Sequence, residues 1–89
     1  MLSLISSAQL KVSGVVTSSD NGNPIPYVNI IGVESKVGTS TNMDGYYAID
    51  IPSNETHLIF SALGYHQDTI AISGSTMDVI MNADHIIDI

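Results

Sequence analysis

The stretch Lys36-Val37-Gly38-Thr39-Ser40-Thr41-Asn42-Met43-Asp44-Gly45-Tyr46-Tyr47-Ala48-Ile49-Asp50-Ile51 decides the fold class. Lys36–Thr41 reads as a short polar strand carrying a lysine, a composition that protects a sheet edge against pairing with another chain. Asn42-Met43-Asp44-Gly45 reads as a hairpin turn, with Asp-Gly its strongest signal. The Asp44 carboxylate is expected to accept backbone N–H groups, and Gly45 to take positive φ. From Tyr46 the chain alternates and puts Tyr47, Ile49 and Ile51 on one face, the period of a half-buried strand.

The same period recurs on both sides. Leu10, Val12, Gly14 and Val16 alternate with Lys11, Ser13, Val15 and Thr17. The turn Ser18–Pro24 follows, with Asn21-Gly22 supplying positive φ. Tyr27–Val33 turns Val28 and Ile30 inward. Pro52-Ser53-Asn54-Glu55 closes the Tyr46–Ile51 strand, because Pro52 cannot donate to a ladder. His57–Ala62 carries Leu58 and Phe60 on its inner face, and Gly64 breaks it. His66–Ile72 and Met77–Asn82 are expected to pair with each other across Ser73-Gly74-Ser75. No stretch has a helical period. About seven short strands with turns every 8–12 residues indicate an all-β sandwich, each sheet with one dry and one wet face.

Size and charge narrow the function. The chain has 89 residues, a net charge of −7 and no cysteine. That is one small domain, without disulfides or thiolate zinc sites. Lys11 and Lys36 are its only strong bases. Phosphate recognition needs clustered cations, so nucleic acid is excluded as a partner. No apolar run approaches the roughly 18 residues of a membrane helix.

Three segments follow from composition. Residues 1–8 are apolar, small and uncharged, and Ser6-Ser7-Ala8 has the small-x-small pattern of a signal-peptidase site, with Gln9 the first mature residue. They read as the remnant of an export signal. Residues 9–82 are the sandwich. Residues 83–89 read as a linker toward a region beyond this chain.

Candidate chemistry is sparse. His57 and His66 lie on neighbouring strands, yet His57, His66 and His85 lack the spacing of metal ligands and are read as surface residues. Asp44 lacks the repeated acidic positions of a calcium loop. Asp44 and Asp50 sit at opposite ends of one strand, too far apart for paired acid–base work. No serine lies in a G-x-S-x-G elbow. Asn54-Glu55-Thr56 fits a glycosylation sequon, a pattern common by chance. Tyr27, Tyr46, Tyr47 and Tyr65 are read as residues straddling core and solvent rather than as a sugar or peptide platform. No catalytic residue, metal or cofactor is expected.

The order of signals carries more than any single motif. Val12–Thr17 followed by Pro24–Ile30, then Gly38–Ile49, then Leu58–Tyr65, resembles the motif string of the carboxypeptidase-regulatory-like domain, including its G-T-x-T-x-x-x-G-x-[FY]-x-[IL] centre and its L-x-F-S-x-x-G-Y corner. Met77–Asn82 and the segment after it are similar to the region before the plug of SusC/RagA-type TonB-dependent receptors. The resemblance implies a transthyretin-like, Ig-like sandwich that is not a catalyst. It implies the periplasmic N-terminal extension of an outer-membrane importer of glycans or peptides in the Bacteroidota. Its partners would be the plug and barrel of the parent receptor, TonB or a TonB-like energiser, and a SusD-like lipoprotein reached through the receptor. Ile86-Ile87-Asp88-Ile89 resembles the onset of a TonB box. Gly14 would then admit close backbone approach or a bulge in the first strand, and Gly45 and Gly64 would take turn geometries. The alternative is a binding or structural sandwich of another exported surface protein, such as one attached to a peptidase. A hydrolase on the same fold would need converging histidine and arginine, and arginine is absent.

Overall fold

Inward-facing β-branched and aromatic residues at alternate positions build two sheets around one apolar layer. The computed structural model describes residues 9–84. Seven strands follow in order: β1 Gln9–Ser18, β2 Asn29–Gly32, β3 Gly38–Ser40, β4 Tyr46–Pro52, β5 His57–Ser61, β6 Asp68–Ala71 and β7 Val79–Met81. One sheet has the order β4-β1-β7, and the other β3-β2-β5-β6. The expected all-β sandwich of about seven strands is what the chain forms.

β1 is the longest strand and anchors the first sheet. It pairs antiparallel with β4, so that Leu10, Val12 and Gly14 lie opposite Ile51, Ile49 and Tyr47. These are the inward positions, with Val12, Tyr47, Ile49 and Ile51 all buried. The outward positions pair Lys11 with Asp50 and Val15 with Tyr46. In the second sheet the inward pairs are Ile30 with Phe60 and Gly32 with Leu58. The sheets meet where the Tyr47 ring stands edge-on to Phe60, with centroids 5.6 Å apart and planes at 82°. Edge-to-face contact suits the ring quadrupoles.

Four expectations are corrected. First, β6 and β7 are not a hairpin: β6 pairs with β5, while β7 crosses to the other sheet and runs parallel to β1. Met77, Val79 and Met81 are the buried residues of that segment, and the core beside β1 is where they find cover. Gly14 makes the approach feasible. A Cβ there would collide with the Met77 carbonyl oxygen. Second, Lys36 is not on the edge strand. It occupies the turn before β3, with φ +63° and its N–H donating to the Gly32 carbonyl. β3 itself is an outer strand. Third, Asn42 rather than Asp44 supplies the acceptor of the β3–β4 turn: its Oδ1 takes the N–H groups of Asp44 and Tyr46 at 2.9 and 3.0 Å. Gly45 has the expected positive φ, +75°. Fourth, Pro52 is the last residue of β4, opposite Gln9, rather than beyond it. Its missing donor is tolerated because β4 is an outer strand.

Two substitutions test this packing. Phe60→Ala removes the ring that bridges the sheets, and a loss of about 3–5 kcal/mol is expected in chemical denaturation; a midpoint equal to the parent's would show that the ring bridges nothing. Gly14→Ala should cost about 1–3 kcal/mol by overpacking against the Met77 backbone. An unchanged melting temperature for that variant would refute the close β1–β7 approach.

Candidate functional site

Within a small sandwich, a polar group that is buried must be satisfied, and where it is satisfied shows what it is for. Glu55 is the buried carboxylate of the described residues. It follows Pro52-Ser53-Asn54, a turn closed by its own N–H on the Pro52 carbonyl at 3.0 Å. From there its side chain crosses to the loop after β2. It accepts the Ser35 N–H at 2.8 Å and the Glu34 N–H at 3.1 Å, and the Thr56 N–H at 3.2 Å. A Cβ on Gly32 would collide with this carboxylate. Burial opposes its charge, but the N–H groups of Ser35, Glu34 and His57 and the Ser35 hydroxyl outweigh burial and hold its pKa near 2 instead of the ordinary 4.5. Glu55 is therefore a loop clasp that fixes the turn leading into β3.

Thr41 and Tyr47 serve the other end in the same manner. The buried Thr41 hydroxyl donates to the Ile25 carbonyl at 2.7 Å and accepts the Val28 N–H at 2.8 Å. The Tyr47 hydroxyl donates to the Met77 carbonyl at 2.7 Å. Burial, with the nearby Asp78 carboxylate, pushes the Tyr47 phenol up to about 12. All three are structural engagements. Sequence reasoning singled out neither Glu55 nor Thr41. The one available signal for Glu55 was a lone acid between a turn and an apolar strand, and its partners lie about twenty residues earlier.

The residues weighed from the sequence are not brought together. His57 pairs with Ala71 at one end of the β5–β6 hairpin, whereas His66 lies just before Asp68, which pairs with Phe60 at the other. Their side chains find separate partners. His57 Nδ1 is 2.9 Å from the Thr56 hydroxyl, and His66 Nε2 is 3.6 Å from Asp84. Among the described residues no group of three metal-ligating side chains forms. His85 and Ile86–Ile89 lie outside the described residues, as do residues 1–8. Tyr46 and Tyr47, consecutive on β4, face opposite ways, Tyr47 into the core and Tyr46 to solvent. Tyr27 is exposed in a left-handed turn at φ +61°. Tyr65 lines an open groove of about 330 Å³ together with Asn29, Ser61, Ala62, Leu63 and Gln67. The groove offers amides and hydroxyls, without a paired acid and base or an activated nucleophile.

Where the chain leaves the sheet it is tied down. His66 N–H donates to the Asn82 carbonyl and Asp84 N–H to the Gly64 carbonyl, both at 2.9 Å. Tyr65 and Ala83 form an isolated antiparallel bridge between these bonds. Gly64 holds the corner at φ +89°. None of the described residues forms a helix long and apolar enough to cross a membrane.

The buried polar side chains of Glu55, Thr41 and Tyr47 are thus spent on the sandwich's own backbone. The chain belongs to the CarboxypepD_reg-like domain family, which matches residues 12–86. It is similar to TonB-dependent receptor P3 of Formosa agariphila, 35% identical over 81 residues that make up 90% of this chain and 8% of the receptor. It is also similar to TonB-dependent receptors P39 and P26 of the same organism, each 35% identical over 78 residues, 86% of this chain. The chain thus spans less than a tenth of the length of these relatives.

The Glu55 clasp has a defined pH signature. Its pKa is depressed on folding, so its contribution is complete above about 4.5 and is lost as pH falls toward about 2. Glu55→Gln should lower stability at neutral pH by about 1–3 kcal/mol, because the charged acceptor of these part-buried N–H groups is removed. The difference from the parent should shrink between pH 4.5 and 2 in denaturation curves. A constant difference across that window would rule out the ionised clasp.

Proposed function

We propose that this chain is the non-catalytic, periplasmic N-terminal module of a TonB-dependent outer-membrane receptor of the SusC type, which imports glycans or peptides. One observation carries the reading: a match running through nearly the whole sandwich to a small part of three much longer TonB-dependent receptors. The non-catalytic role is supported by the engagement of Glu55, Thr41 and Tyr47 in fold-building hydrogen bonds. Residues 1–8 are then the end of an export signal, residues 9–82 the folded module, and residues 83–89 the start of a connector. Ile86-Ile87-Asp88-Ile89 would begin the segment that a TonB-type energiser engages, while a SusD-like lipoprotein would meet the receptor on its outer side.

Mechanistically, the module would act as a rigid body on a short connector. Its corner at Gly64 holds the chain at Asp84 through the bonds described above, so the point from which the connector starts is fixed to the sandwich. Reading the gene past Ile89 is the first check: plug sequence followed by strands of alternating apolar and polar residues is expected. In that host, removal of residues 9–82 should reduce uptake of the receptor's nutrient while the barrel still reaches the outer membrane. A gene without a barrel, or full uptake by the truncated receptor, would defeat the reading.

A further inference from the structure

The strand register places five of the seven exposed large apolar side chains of the described residues toward one end of the sandwich; the other two, Ile31 and Val37, are the least exposed and lie by the β2–β3 turn. β1 ends at Ser18, which pairs with Met81 at the end of β7. The 42–45 turn lies at this end, since Val16 N–H donates to the Gly45 carbonyl. Tyr27 joins it, its N–H donating to the Thr41 carbonyl. The Leu63-Gly64 corner is also here, tied to Asp84. Leu63 is fully exposed, Tyr27 69%, Met43 67%, Ile80 65% and Tyr46 45%. Ile80 and Tyr46 are linked across the outer face by their pairing with Thr17 and Val15 on β1. Toward Gln9 the same outer face becomes polar, with Lys11 opposite Asp50.

Charge follows the same axis. Asp20, Asp44 and Asp84 belong to the loops and the departing chain at the Ser18 end. Both lysines lie away from it, Lys11 toward the start of β1 and Lys36 in the turn after β2. His66 is the titratable nitrogen base of this end among the described residues, and it sits 3.6 Å from Asp84. Scattered exposed apolar residues are ordinary on a small protein. Gathered at one end with acids around them, they match a docking face with an apolar centre and a charged rim.

We propose that the Ser18 end, centred on Met43, Tyr46, Leu63 and Ile80, is the face by which the module seats against the rest of its own receptor, on a surface with an apolar centre and a lysine- or arginine-bearing rim. The proposal rests on the receptor reading above. Two observations select this occupant over a separate protein. The chain departs at Asp84 from this same end, so whatever follows it is held close at high effective concentration. The relatives are more than ten times longer than the matched segment, so a large folded neighbour is available in them. The acidic rim would orient that neighbour, and the apolar centre would hold it.

The test uses the full-length receptor, purified in detergent and otherwise free of reactive thiols. Single substitutions Met43→Cys, Leu63→Cys and Ile80→Cys probe the Ser18 end. Ser53→Cys and Ser73→Cys, both exposed, probe the far end. With a maleimide reagent, the Ser18-end thiols are expected to label about tenfold more slowly than the far-end thiols, which corresponds to docking worth about 1.4 kcal/mol. Leu63→Asp introduced beside Met43→Cys should abolish that protection. Hydrogen exchange on the unsubstituted receptor reads the same surface without a variant, and slower exchange at 42–46 and 62–66 than at 53–56 is expected. Equal labelling at both ends overturns the proposal, as does protection that appears only when a purified TonB protein is added. A gene lacking plug and barrel defeats the receptor reading instead, so the two failures are distinguishable.

Discussion

Tyr47 is the interaction on which this sandwich depends. Its ring meets Phe60 of the opposite sheet, and its hydroxyl donates to the Met77 carbonyl just ahead of β7. One side chain thereby sets both the spacing between the sheets and the position of the strand that closes the first of them. The residue opposite it on β1 is Gly14, whose missing side chain is what lets Met77 come near. A large residue facing a glycine across one ladder rung resolves a packing conflict that two ordinary side chains would create. Burial, with the nearby Asp78 carboxylate, raises the phenol to about 12, so the donor keeps its proton at neutral pH.

The loops obey a second constraint, the satisfaction of backbone donors that short strands leave over. β2 and β3 are four and three residues long, and the turn joining them includes Lys36 in a left-handed conformation that non-glycine residues seldom adopt. Glu55 holds that turn from the neighbouring β5 side by collecting its N–H groups. Thr41 does the same for the chain entering β2. With these polar groups committed to the fold, the apolar residues exposed at the Ser18 end stand beside the chain at Asp84.

Membership in the CarboxypepD_reg-like family and similarity to TonB-dependent receptors agree with a motif string readable in the primary structure. The readable parts were local. Tyr47, Ile49 and Ile51 announced their face by alternation, and Gly22, Gly45 and Gly64 marked positive-φ positions that the backbone adopts. Turn chemistry was half legible: Asp44-Gly45 located the hairpin, but Asn42 provides its acceptor, since an Asx side chain reaches the N–H two residues on and Asn42 stands two residues before Asp44. The pairing of His66–Ile72 with Met77–Asn82 was misread because adjacency in sequence favours hairpins, whereas the buried methionines needed cover that only β1 offered.

By itself, then, the amino-acid order determined the class of fold, the inward face of each long strand and the places where the backbone must turn. These depend on residues within a few positions of one another, through the period-two pattern and the conformational freedom of glycine. Tertiary structure alone decided the parallel seating of β7 on β1, the clasp of Glu55 on Glu34 and Ser35, and the gathering of Met43, Tyr46, Leu63 and Ile80 at one end. Each of those joins segments far apart along the chain, and their energies arise from burial and hydrogen bonding that exist only once the two sheets have met.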